Sequence, residues 1–144
     1  EILETGGGLR NALPLLGTGP VFTMNSDSVW RGPNPLEVLA RSWRDDMDAL
    51  LLGIPVDQAI GHKGTGDFTA GPPVARGPGL VYSGVQIIRT DGLGDIPDTA
   101  FSLNLLWDRM LERGTLHVLT YDGAWCDVGH PEGITLAEGM LSGV

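Results

Sequence analysis

Five short apolar runs, separated by segments of helical spacing, constrain this chain more than anything else in it. They are Val21–Met24, Asp48–Gly53, Leu80–Arg89, Leu116–Tyr121 and Trp125–Val128. Leu80–Arg89 is the strongest, with Val81, Val85, Ile87 and Ile88. These runs lack the strict alternation of a strand with one wet face. Strands of this type need cover on both faces, and the interleaved helices can provide it. The expectation is an α/β fold with a largely parallel or mixed sheet flanked by helices.

Helix signals fill the gaps. An apolar helix closing at Ala12–Leu16 is expected to open after the glycines Gly6, Gly7 and Gly8. Asn34 is a suitable N-cap, with Pro35 at the first helical position of a helix reaching about Arg44. Asp98 or Thr99 is expected to cap a helix that runs to about Arg113 and stops at Gly114. A last helix starts at Pro131 and carries Ile134, Ala137, Met140 and Leu141. Asp67-Phe68-Thr69 suggests one more brief strand. No internal repeat or linker divides the 144 residues, so a single domain is expected.

Composition narrows the function classes. The formal charge is −9, which disfavours a nucleic-acid backbone or an anionic membrane surface as partner. Cys126 is the only cysteine, so neither an intrachain disulfide nor a cysteine metal cluster can form. The longest apolar run, Ala49–Val56, contains Gly53 and Pro55 and is far short of the ~20 residues of a membrane helix. A soluble, cytoplasmic setting is the expectation.

Two aspartates stand out. Asp27 ends Asn25-Ser26-Asp27, just past an apolar strand, where α/β sheets commonly bind ligands. Asp127 lies in Trp125-Cys126-Asp127-Val128-Gly129-His130, between apolar neighbours, where a carboxylate is costly unless paired. Each has a second reading. Asp27 could simply form the turn, and Asp127 could accept from the amides of the next helix. Together they could supply the hard oxygen pair that Mg²⁺ takes alongside phosphate oxygens. Glu4-Thr5-Gly6-Gly7-Gly8 would let a ligand approach backbone closely, or is a plain glycine-rich helix start. It is neither a dinucleotide fingerprint nor a P-loop. Lys63 in the His62–Phe68 loop could meet a phosphate or be solvated. Ser83 could bond a sugar hydroxyl or a neighbouring strand, and Gly84 inside a strand suggests close approach of a ligand or of backbone.

In order along the chain, these pieces resemble the sugar-phosphate nucleotidyltransferases. They are Leu3–Gly8 with Ala12–Leu16, Asn25-Ser26-Asp27, Gly64–Phe68, Tyr82–Val85 and Trp125–Gly129. The family joins a nucleoside triphosphate to a sugar 1-phosphate, releasing pyrophosphate with Mg²⁺, on a Rossmann-like fold. The resemblance implies that Asp27 and Asp127 are the catalytic metal ligands. It implies that Glu4, Thr5, Gly6, Gly7 and Asn25 contact the nucleotide, with UTP favoured. It implies that Gly66, Asp67, Ser83 and Gly84 line the sugar-phosphate pocket. Ser26 stands where the family has glycine, and His130 where it has threonine. The family's N-terminal strand and cationic signature loop have no match here, so the chain is expected to enter the pattern partway, and this chain alone could be inactive. Gly71–Val74 replaces a longer polar turn. A non-catalytic sugar-nucleotide-binding or regulatory module is the alternative.

Overall fold

The computed structural model describes residues 4–16, 19–62, 64–98, 100–129 and 131–142. Its elements, in order, are α1 (Glu4–Leu16), β1 (Val21–Met24), β2 (Ser28–Arg31), α2 (Pro35–Ser42), β3 (Ala49–Pro55) and β4 (Ala59–Ile60). There follow β5 (Leu80–Ile88), α3 (Asn104–Arg113), β6 (Leu116–Thr120), β7 (Ala124–Asp127) and α4 (Pro131–Ser142). All five apolar runs become strands.

The main sheet has the order β1-β5-β3-β6. β5 runs antiparallel to both β1 and β3, and only β3–β6 is parallel. The α/β class is as expected and the sheet is mixed, not mostly parallel. A second sheet, β2-β7-β4, pairs β2 antiparallel and β4 parallel to β7.

β3 shows why alternation is missing. Ala49 and Leu51 pack with Ile88, Phe101 and the α3 residues Leu106, Trp107 and Met110. Leu50, Leu52 and Ile54 point the other way, against Val81, Val85, Ile87 and Leu39 of α2. Both faces are dry, so every position favours an apolar side chain. Each fully buried leucine contributes about 1.5–3 kcal/mol. A smaller cluster of Cys126, Ala137 and Met140 seats α4 on the second sheet.

The helix caps follow the sequence in part. Asn34 Oδ1 accepts from the N–H groups of Leu36 (2.9 Å) and Glu37 (3.4 Å). Gly114 closes α3 in the left-handed region, φ 72°. Two starts differ from expectation. α1 begins at Glu4, so its glycines lie inside the helix rather than before it. α3 begins at Asn104, not at Asp98, and Thr99 lies outside the described residues. The two differences share a cause. The Phe101 carbonyl accepts from the amides of Gly6 (2.8 Å) and Gly7 (3.3 Å), which an α-helix leaves unpaired. Arg10 donates to the carbonyls of Ile96 and Asp98. The carbonyls of Ile96, Asp98 and Phe101 therefore serve α1. A Cβ on Gly6 would stand 2.2 Å from the Phe101 ring, so only glycine permits this contact.

Candidate active site

β1 leads into Asn25, whose N–H donates to the Gly84 carbonyl on β5 (2.9 Å). Gly84 has φ 90°, and a Cβ there would be 2.6 Å from Asn25 Nδ2. The glycine lets the Asn25 side chain lie flat on the strand. The chain then turns through Asp27 into β2, which pairs with β7 so that Ser28 faces Asp127. The Val128 N–H donates to the Asp27 carbonyl (2.8 Å) and extends that ladder.

This pairing brings the two aspartates together. A Cβ placed on Gly129 would lie 2.9 Å from Asp27 Oδ2 and 3.0 Å from Asp127 Oδ1. Both carboxylates therefore reach one small volume over the Gly129 backbone. Asp127 Oδ1 also accepts from the Gly129 N–H (2.8 Å), so its turn-forming role coexists with this approach. Two hard oxygen donors side by side suit a cation that takes its other ligands from water and phosphate. Among the described residues no group of three His, Cys, Asp or Glu side chains could hold a metal unaided.

Close by in sequence, Thr23, Met24 and Asn25 line a cavity of about 490 Å³. Thr5 and Asp67 also line it. Asp67 Oδ2 accepts from the Tyr82 N–H (2.8 Å), and Thr5 Oγ1 from the Leu103 N–H (3.0 Å). The other site candidates sit elsewhere. Asp27 and Asp127 are not lining residues, and neither are Glu4, Gly6, Gly7, Gly66, Ser83 or Gly84. Glu4 is exposed, with φ 59°, uncommon for a residue with a Cβ. Gly66, φ 121°, packs on the backbone of Gly79 and Leu80. Ser83 is 2% exposed and its hydroxyl accepts from the Val85 N–H (3.3 Å). Lys63 and His130 lie outside the described residues.

Sequence reading missed the cavity wall. Tyr82 and Trp107 line it and meet edge to face at 4.9 Å between centroids. Ser83 was the expected contact, yet successive strand residues face opposite ways. Tyr82 faces the cavity, and Val81 and Val85 face the other core with Ser83 between them. Behind the wall, Gln86 is 0% exposed. Its Oε1 accepts from Trp107 Nε1 (3.0 Å) and its Nε2 donates to Thr23 Oγ1 (3.0 Å). Thr23 lies beside the Tyr82 phenol. Burial pushes that phenol well above the ordinary tyrosine range, so it stays protonated at neutral pH. Arg76, Ser102 and Asn104 complete the polar lining.

No family model matches the chain. The chain is 36% identical, over 153 aligned positions, to the N-acetylmuramate alpha-1-phosphate uridylyltransferase of Caulobacter vibrioides. That match covers 99% of this chain and 63% of the relative. HddC from Yersinia pseudotuberculosis, solved in complex with GMP-PN, superposes with a TM-score of 0.71 at 22% identity, covering 96% of this chain and 63% of that one. A Bacillus anthracis structure assigned as a glucose-1-phosphate thymidylyltransferase, in complex with a sucrose, gives 0.72 at 13% identity, covering all of this chain and 63% of that one. At these identities the two structures speak for the fold alone. The chain is thus similar in sequence to that uridylyltransferase and in fold to these two structures, and it spans about 63% of the length of the proteins it matches.

Proposed function

We propose that the chain carries out nucleotidyl transfer to a sugar 1-phosphate, forming a nucleotide sugar and pyrophosphate with Mg²⁺ in the cytoplasm. The convergence of the Asp27 and Asp127 carboxylates over Gly129 carries this reading. The identity to a uridylyltransferase makes UTP the favoured donor. Asp27 and Asp127 would hold the cation, and the cation would supply charge neutralisation at the phosphates. Asn25, packed on Gly84, lines the cavity and precedes Asp27 by two residues. Glu4, Thr5, Gly6 and Gly7 are assigned to the nucleotide side. Gly66, Asp67, Ser83 and Gly84 are assigned to the sugar side. Of these, Asp67 lines the cavity, where a carboxylate can accept from a sugar hydroxyl, whereas Ser83 acts from behind the strand. Catalysis of this type rests on holding the two phosphates in line, so positioning is the main work of these residues.

The test is a pyrophosphate-release assay on the 144-residue chain, with a panel of nucleoside triphosphates and sugar 1-phosphates. Release with UTP that stops on chelation of Mg²⁺ is expected. Binding of nucleotide and sugar phosphate without release, for every pair tried, would replace this reading with that of a sugar-nucleotide-binding module.

Gly129→Ala probes the convergence more finely. Gly129 is not among the left-handed glycines, so the backbone accepts alanine. The new methyl would occupy the volume both carboxylates reach. Mg²⁺ affinity, read by calorimetry, should fall about 10–100-fold, as when metal ligands lose their support. The thermal midpoint should stay within a few degrees.

A further inference from the structure

The main sheet ends at β6, at the opposite edge from β1 and the candidate active site. The Thr115 carbonyl accepts from the Asp48 N–H (2.9 Å), and the Tyr121 N–H donates to the Gly53 carbonyl (2.9 Å). Pairing with β3 therefore falls on alternate residues, and Leu116, Val118 and Thr120 turn their N–H and C=O groups outward. Among the described residues no further strand pairs with this edge. Two cavities flank it. One, about 630 Å³, has apolar walls from Pro72, Pro73, Val74 and Leu111. The other, about 430 Å³, lies at the end of α2, against Arg41 and Trp43. His117 and Val118 line both. Successive strand residues point to opposite faces, so cavities that share these two residues open at the outer rim of β6, one beside each face. Val118 accordingly packs with the α3 core and Leu119 with the α2 core.

The charge of this rim runs against that of the molecule. The chain carries −9, yet among the described residues no acidic side chain lines either cavity, and Arg44 lines both. Glu37 takes only Nη2 of Arg41 (3.4 Å), and Asp46 takes only Nε of Arg44 (3.2 Å). The other guanidinium nitrogens have no partner among the described residues. An open strand edge, a pocket on each face and a basic rim are what strand addition by an extended peptide requires: backbone bonds give affinity and alternate side chains give choice. We propose that β6 docks an extended segment of a partner protein in which apolar and acidic residues alternate, the apolar ones toward Pro72 and Val74 and the acidic ones toward Arg41 and Arg44. A second copy of this chain fits less well. Pairing β6 with itself about a two-fold axis would set Arg41, Arg44 and His117 near their own counterparts. Docking at this edge needs nothing from the nucleotidyl-transfer site across the sheet.

The probe is the acetylated and amidated peptide Val-Glu-Val-Glu-Val-Glu-Val, with Val-Lys-Val-Lys-Val-Lys-Val as control. Each is titrated into the 144-residue chain and followed by calorimetry and amide NMR. The glutamate peptide should bind about tenfold or more tightly than the lysine peptide, as charge complementarity requires. It should shift the amide resonances of Leu116, Val118 and Thr120 and leave those of Thr23 and Asp67 in place. N-methylation of its alternate amides should abolish binding for the set that faces β6 and spare the other set, since only alternate donors enter the ladder. Arg41→Gln combined with Arg44→Gln should weaken it about tenfold, the scale of two exposed ion pairs. Both side chains are exposed, so this variant should fold. No binding of the glutamate peptide, equal affinity for the two peptides, or equal losses from the two methylated sets would overturn the proposal. A chain that dimerises in sedimentation through the same β6 amides would give the edge to a second copy and overturn it as well.

Discussion

Asp27→Asn and Asp127→Asn are each expected to lower Mg²⁺-dependent pyrophosphate release by about a thousandfold or more, the scale seen when charge stabilisation at a reacting centre is removed. The fold should not suffer. Asp27 is exposed, and its backbone carbonyl, not its side chain, accepts from Val128. Asparagine at 127 keeps an oxygen able to accept from the Gly129 N–H, so the turn into α4 survives. Without metal, two carboxylates converging over Gly129 repel each other, and removing one charge relieves that repulsion. Stability without metal should therefore be unchanged or slightly higher. Mg²⁺ should raise the melting temperature of the wild type and leave that of both variants alone, since a ligand stabilises only the fold it binds. Undiminished release in either variant would remove that aspartate from the metal site.

Gln86→Leu should be a damaging change just behind the cavity wall. The residue is fully buried and bridges Trp107 to Thr23. Leucine has similar bulk but no acceptor, so the Trp107 indole N–H is stranded. A stranded buried donor costs about 1–3 kcal/mol. Thr23 suffers less, because it is only half-buried and water can reach its hydroxyl. Urea unfolding should register the loss. Sugar-phosphate KM should rise more than kcat falls, because Gln86 positions the wall and touches no reacting atom. Trp107→Phe removes the donor instead. In the double variant the costs should add to less than their sum, the sign of one shared hydrogen bond. Strict additivity would mean that the bridge contributes nothing.

Several features were legible from residues alone. β3 announces itself because it is apolar at consecutive positions, and β5 because Leu80-Val81 and Ile87-Ile88 are so at its two ends, a pattern that demands cover on both faces. Asn34-Pro35 marks the start of α2, and Gly114 the end of α3, through local hydrogen bonding and φ. The start of α3 was not legible. The Phe101 carbonyl is claimed by α1, from the far end of the chain, and no local rule foresees that. Strand direction was hidden for a similar reason. β5 lies between β1 and β3 and antiparallel to both, an arrangement set by which faces bury together. In the site, alternation along β5 separates Tyr82 from Ser83, but which of them meets a cavity depends on α3 covering one side.

The sequence by itself determined the α/β class, most strand positions and the aspartates worth attention, because these depend on side-chain polarity and short-range spacing. The tertiary structure decided that Asp27 and Asp127 share one volume and that Tyr82, Trp107 and Arg76 form the cavity wall. Those juxtapositions come from the pairing of β2 with β7 and from the packing of α3 on the main sheet. They are contacts between distant parts of the chain, and only the folded core brings those parts together.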